Sequence, residues 1–158
     1  MFSATASTTI ASDAQTIWET LMNTEDWPKW NTFVTLIEVR PPHRQLQIGS
    51  RQTIQITPDL SSPLQTESYT NIVTELREKE EFVWEGILLW SLIFKTVHWC
   101  RLEAIVPNEE ETMPKTRFTQ GETFFGLLAP VVWLSGKLDV LTKGYERMNE
   151  DLKSYIEQ

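Results

Sequence analysis

Apolar and small residues occupy alternate positions between Phe2 and Ile10 (Phe2, Ala4, Ala6, Ile10), the period of a half-buried strand. Ser12 with Gln15 reads as a capping box. Ala14, Ile17, Trp18, Leu21 and Met22 follow at helical spacing, which predicts a helix over 13–22. The stretch 24–30 (TEDWPKW) predicts one more short turn, capped by Thr24, before Asn31 releases the chain into extended structure. From Phe33 onward, extended runs alternate with turn signals at Pro41-Pro42, Gly49, 58–63, 78–81 and 107–111, which places strands near 33–40, 50–57, 66–77, 81–90, 93–106 and 115–125. After Pro130, the residues Leu134, Leu138, Leu141, Tyr145, Met148, Leu152 and Tyr155 recur at steps of three and four. One long helix is expected to close the chain.

Strand, two short helices, six strands and a long helix make an α+β fold. A seven-stranded antiparallel sheet with one polar face must cover the other. Only the C-terminal helix is long and apolar enough to do so, and at about 1.5 Å per residue it crosses a whole curved sheet. No linker, repeat or low-complexity segment divides residues 1–158, so a single domain is expected.

Composition narrows the functions. The chain has 158 residues, 41% of them hydrophobic, with 7 Trp, 7 Phe and 3 Tyr, enough apolar side chain for one core. Fourteen Lys and Arg against 22 Asp and Glu give a net charge of −8, and no basic cluster interrupts it. Nucleic acid and anionic membrane surfaces are therefore not expected partners. The apolar run 124–134 (FFGLLAPVVWL) is shorter than the roughly 18 residues of a membrane-spanning helix. The single Cys100 makes no internal disulfide, and Met1 to Ile10 carries no signal-peptide pattern, so a cytoplasmic location is expected.

Several segments taken together resemble a known superfamily: IASDAQTIWETLMNTEDWPKWN, EFVWEGILL, HWCRLEA, TRFTQGETFFGLLAP and GYERMNEDLKSYIE. In this order they are similar to the START-like, helix-grip SRPBCC proteins, in particular the polyketide cyclase/dehydrase branch. The resemblance implies a curved sheet wrapped around the C-terminal helix, with a hydrophobic cavity between them. Different members use that cavity to carry lipids or hormones, to cyclise polyketides or to contact another protein, and the fold does not choose among these. Two departures stand out. Asn31 is followed by Thr32 where the family often has Pro, and 88–97 (LLWSLIFKTV) replaces a Gly-rich turn. The resemblance transfers no catalytic set, so candidate residues follow from strand faces.

In the sixth strand Phe94, Thr96, His98, Cys100, Leu102, Ala104 and Val106 share one face, which is expected to point inward; in the seventh, Phe118, Gln120, Glu122 and Phe124 do. Pairing the two strands about a turn near 108–113, with both apolar faces kept together, centres on partners whose numbers sum to 220. His98 then lies beside Glu122, Cys100 beside Gln120 and Leu102 beside Phe118. His98 and Glu122 are the candidate polar pair, placed either to orient a ligand hydroxyl or carbonyl, to move a proton, or simply to anchor the sheet. Trp27 and Trp30 flank a bend where a cavity mouth is expected. Phe82 and Trp84 share a strand face with Gly86, and Tyr145 and Met148 flank Gly144 on the helix. Together with Cys100, Phe118, Gln120 and Phe124, these are the candidate ligand-lining residues. The 124–134 segment reads as a lid, a contact with a second subunit, or ordinary core.

Two His and one Cys give no zinc set, and no nucleotide-binding or serine-hydrolase motif occurs, so no metal and no cofactor are expected. Cys100 is a poor candidate nucleophile, and 109–111 (three Glu) reads as a solvated hairpin tip. The expected partner is a small hydrophobic molecule such as a polyketide, terpenoid or lipid, bound by a monomer or homodimer. Three readings stay open: a carrier, an enzyme of cofactor-independent cyclisation, dehydration or isomerisation, and a protein-interaction module using the acidic surface and 124–134.

Overall fold

The computed structural model describes residues 2–88, 92–106 and 113–158. The expected elements are present: β1 (Phe2–Ile10), α1 (Ala14–Met22), a 3-10 turn (Thr24–Asp26), α2 (Trp27–Trp30), β2 (Val34–Val39), β3 (Arg51–Ile56), β4 (Glu67–Arg77), β5 (Glu81–Leu88), β6 (Phe94–Ile105), β7 (Lys115–Phe125), α3 (Ala129–Leu134) and α4 (Lys137–Ile156). The seven described strands form one antiparallel sheet in the order β1-β7-β6-β5-β4-β3-β2. Consecutive strands from β2 to β7 are neighbours, and β1 closes the edge beside β7. Helix α4 lies along β1 and touches β7, covering the face on which Ala4, Ala6, Cys100, Phe118 and Gln120 are buried.

Four local expectations need correction. The cap of α1 is Asp13, whose carboxylate accepts from the Thr16 amide at 2.8 Å, not Ser12 with Gln15; a carboxylate reaches the N3 amide from the residue directly before the helix. Thr24 begins a 3-10 turn whose preceding residue, Asn23, supplies no side-chain cap. The single closing helix is two, because Gly136 takes φ +76°, a left-handed conformation that ends α3 and starts α4. Apolar spacing continues through that break, which is why periodicity alone reads straight across it. The inward face of β6 also stops at Leu102: Ala104 is exposed and Val106 is 86% exposed, since the strand runs on beyond the layer covering it. The tip at 109–111 lies outside the described residues.

On the outer face Glu81 is only 4% exposed, yet both its oxygens are engaged: Arg101 Nε donates at 2.5 Å and Arg77 pairs from the other side. Arg101 in turn lies over the Trp99 ring, 4.5 Å from its centroid. Removing this carboxylate leaves two partly exposed cations facing each other with a gap between them. Glu81→Ala is expected to lose about 1–3 kcal/mol in urea denaturation, and an unchanged midpoint would show the ion pairs to be inert.

Candidate functional site

The β6–β7 register sets His98 opposite Glu122, Cys100 opposite Gln120 and Leu102 opposite Phe118, and on the other side Trp84 lies opposite His98. Ala4, Glu122, His98, Trp84 and Val73 therefore form one row across the inner face. The side chains of His98 and Glu122 do not bond directly. Tyr145 of α4 comes down between them, its hydroxyl donating to Glu122 Oε2 at 2.8 Å and lying 3.2 Å from His98 Nδ1. A hydroxyl that gives its proton to a carboxylate accepts from the imidazole, so the ring proton sits on Nδ1 and Nε2 faces Cys100 Sγ at 3.6 Å.

Aromatic rings enclose this array. Trp84 stacks on His98 at 4.0 Å and 13°, Phe82 packs on Trp84 at 4.7 Å, and Phe33 meets Tyr145 edge-on at 5.6 Å. Burial governs the titrations. It pulls His98 down to about 3, so the ring is neutral at physiological pH. Burial pushes the Cys100 thiol and the Tyr145 hydroxyl up, which makes Cys100 inert as a nucleophile. Glu122 is also raised by burial, against the opposing effects of the Tyr145 and Thr96 hydroxyls and the Lys137 charge. Burial thus favours the protonated carboxyl of Glu122, whereas His98 is too weak a base to hold a proton at neutral pH.

The remaining candidates divide into two groups. Gln120 lies with its amide 2.7 Å from that of Asn149, one turn beyond Tyr145 on the helix, and Phe124 packs against Phe94 at 6.1 Å. Phe118 and Met148 are fully buried. Trp27 and Trp30 stand apart from the array: Trp27 donates to the Leu21 carbonyl at 3.0 Å, and Trp30 stacks on Tyr155 near the C-terminal end of α4. They pack on each other at 5.4 Å beside the C-terminal end of that helix.

Sequence reasoning missed a polar rim. Lys137 and Tyr69 both bond Glu67, and Glu122 adds to the rise in the Tyr69 pKa, so this trio stands close to the array. Glu67, Tyr69 and Asn71 share parity with buried Val73 on β4, a signal visible in the sequence. Among the described residues no three His, Cys, Asp or Glu side chains gather as metal ligands. An open groove of about 590 Å³ lies beside α1, lined by Trp18, Met22, Leu46 and Leu76, the last of these opposite Phe82 on β5. Of the 124–134 segment, Phe124 and Ala129 are buried, while Leu127, Val131, Trp133 and Leu134 are 73%, 59%, 53% and 75% exposed. This segment is therefore not ordinary core.

Solved structures share this fold over nearly the whole chain. A START superfamily protein from Mycobacterium smegmatis superposes with a TM-score of 0.64 at 13% identity, covering 99% of this chain and 97% of the other. The chain has the START-like helix-grip fold. A hypothetical protein from Helicobacter pylori superposes with a TM-score of 0.72 at 14% identity over 98% of this chain and 87% of the other. Ara h 8.0201 gives 0.60 at 12%, over 98% and 97%. No protein-family model and no curated protein matches the sequence. At these identities the START-like likeness speaks for fold alone. No helix among the described residues is long and apolar enough to cross a membrane.

Proposed function

We propose that this protein binds a small hydrophobic molecule between the sheet and α4, with the Glu122–Tyr145–His98 array holding the molecule's polar group. One observation carries the reading: a hydrogen-bonded polar triad from two strands and the helix, set among aromatic rings, where a purely structural core would use apolar side chains. Polyketides, terpenoids and lipid-like molecules fit such a wall. Any turnover would be cofactor-independent cyclisation, dehydration or isomerisation, with Glu122 moving the proton and Tyr145 orienting it. The low basicity of His98 assigns that ring to positioning.

A second reading, a protein-interaction module, draws on the exposed Leu127, Val131, Trp133 and Leu134 and the acidic surface. Native mass spectrometry of the protein after incubation with a hydrophobic extract separates the readings. A retained unchanged mass is expected of a carrier, and a new product mass of an enzyme; no bound mass across a broad extract sinks the cavity reading in favour of the interaction module. For a retained ligand bearing a hydroxyl or carbonyl, Tyr145→Phe is expected to weaken affinity by roughly tenfold, since it removes the bridging hydroxyl. Unchanged affinity would detach the triad from the ligand.

A further inference from the structure

Gln52 and Asn71 lie directly opposite each other on β3 and β4. Both face inward, because Gln52 alternates with buried Ile54 and Ile56, and Asn71 precedes buried Val73 by two residues. Gln52 is 0% and Asn71 6% exposed. Nevertheless Gln52 Nε2 and Oε1 and Asn71 Oδ1 have no hydrogen-bond partner among the described residues. A buried amide left unpaired forfeits its full hydration, so a cluster of such atoms on one inner face is unusual unless something else completes it. Gln120 on β7, equally buried, also keeps its Oε1 unpartnered, but its Nε2 lies 2.7 Å from the side-chain amide of Asn149 on α4.

We propose that Gln52 and Asn71 form a second polar recognition point, for a ligand whose head is an uncharged carboxamide or lactam. This rests on the ligand-binding reading above. The head is uncharged because the carboxylates on the same faces of β4 and β7 are already engaged: Glu67 with Lys137, and Glu122 with Tyr145. It is of amide type because a primary carboxamide presents a donor and an acceptor side by side, and the edge that satisfies both at once is another amide edge. A flat body suits the neighbouring row, where Val73 lies opposite Trp84 and Trp84 stacks on His98.

The test is a fluorescence titration of two probes, 2-naphthamide and naphthalene, against the intact protein and its Gln52→Leu and Asn71→Leu variants, each checked by thermal melting. The unmodified protein is expected to bind 2-naphthamide roughly tenfold more tightly than naphthalene. Each variant should lose that preference, hold naphthalene as before and melt no lower, because leucine removes the unpartnered Gln52 Nε2 and Oε1 or Asn71 Oδ1. Absence of a preference in the unmodified protein, or its survival in both variants, overturns the proposal and leaves the cavity reading standing if naphthalene binds. If neither probe binds the unmodified protein, both readings fall. Should one variant fail to fold the other is read alone, and failure of both makes the amides structural and overturns the proposal.

Discussion

Gly144→Ala is expected to destabilise the protein by about 2–3 kcal/mol, although alanine is the better helix former by about 1 kcal/mol. The added Cβ would sit 2.3, 2.4 and 2.6 Å from three ring atoms of Phe33, well inside contact distance. The ring has nowhere to go. Phe33 is 1% exposed, meets Tyr145 edge-on, and has the Arg147 guanidinium 5.5 Å from its centroid. Arg147 is itself held by the Thr57 carbonyl at 2.5 Å and the Thr32 carbonyl at 3.2 Å, which ties the loop beside Phe33 to the helix. Either α4 lifts away from the sheet or Phe33 is expelled, and both disturb Tyr145. Urea denaturation measures the loss, and Phe33→Leu introduced together with Gly144→Ala should recover part of it by vacating the clash. A Gly144→Ala protein as stable as its parent would show that the packing yields freely there.

The second large effect is on acid stability. His98 in the unfolded chain takes up a proton as pH falls through about 6.5, whereas the buried ring resists protonation down to about 3. Across that window the unfolded state binds more protons, so stability falls as pH falls, by about 1.4 kcal/mol for each unit of separation and on the order of 3–5 kcal/mol in full. Glu122 acts in the opposite direction. Its folded carboxyl is raised above 4.5, so above that value the folded state holds the extra proton, and stability from this group declines as pH rises. Thermal melts from pH 7 to pH 4 are expected to show a net loss that His98→Gln largely abolishes. Glu122→Gln should raise the melting temperature at pH 7 and confer no such gain at pH 4, where the parent carboxyl is already neutral. A His98→Gln protein with the parent's pH profile would show that some other group controls acid unfolding.

Much of this site is legible in the chain. Strict alternation in 94–102 and 118–124 specifies which residues face inward, and a one-residue slip would bury Arg101 and Thr119 in place of Cys100 and Gln120. The pairing of His98 with Glu122 follows from that constraint, as do Cys100 with Gln120 and Leu102 with Phe118. The α+β helix-grip architecture follows similarly, because a long amphipathic helix and a sheet with one apolar face have few ways to cover each other.

What the pattern could not supply is everything that depends on where the helix lands. Hydrophobic spacing marks Tyr145 as inward-facing, yet its insertion between His98 and Glu122 is set by the translation of α4 along β1, for which no local rule exists. The same holds for Phe33 filling the notch at Gly144, and for Trp30 stacking on Tyr155 at the C-terminal end of the helix. The break at Gly136 escapes periodicity because the apolar side chains resume at helical steps on either side of it. Sequence alone determined the faces, since alternation and helical spacing are properties of neighbouring residues. Tertiary structure decided the contacts across those faces, since they join residues dozens of positions apart and depend on how curved layers settle against one another.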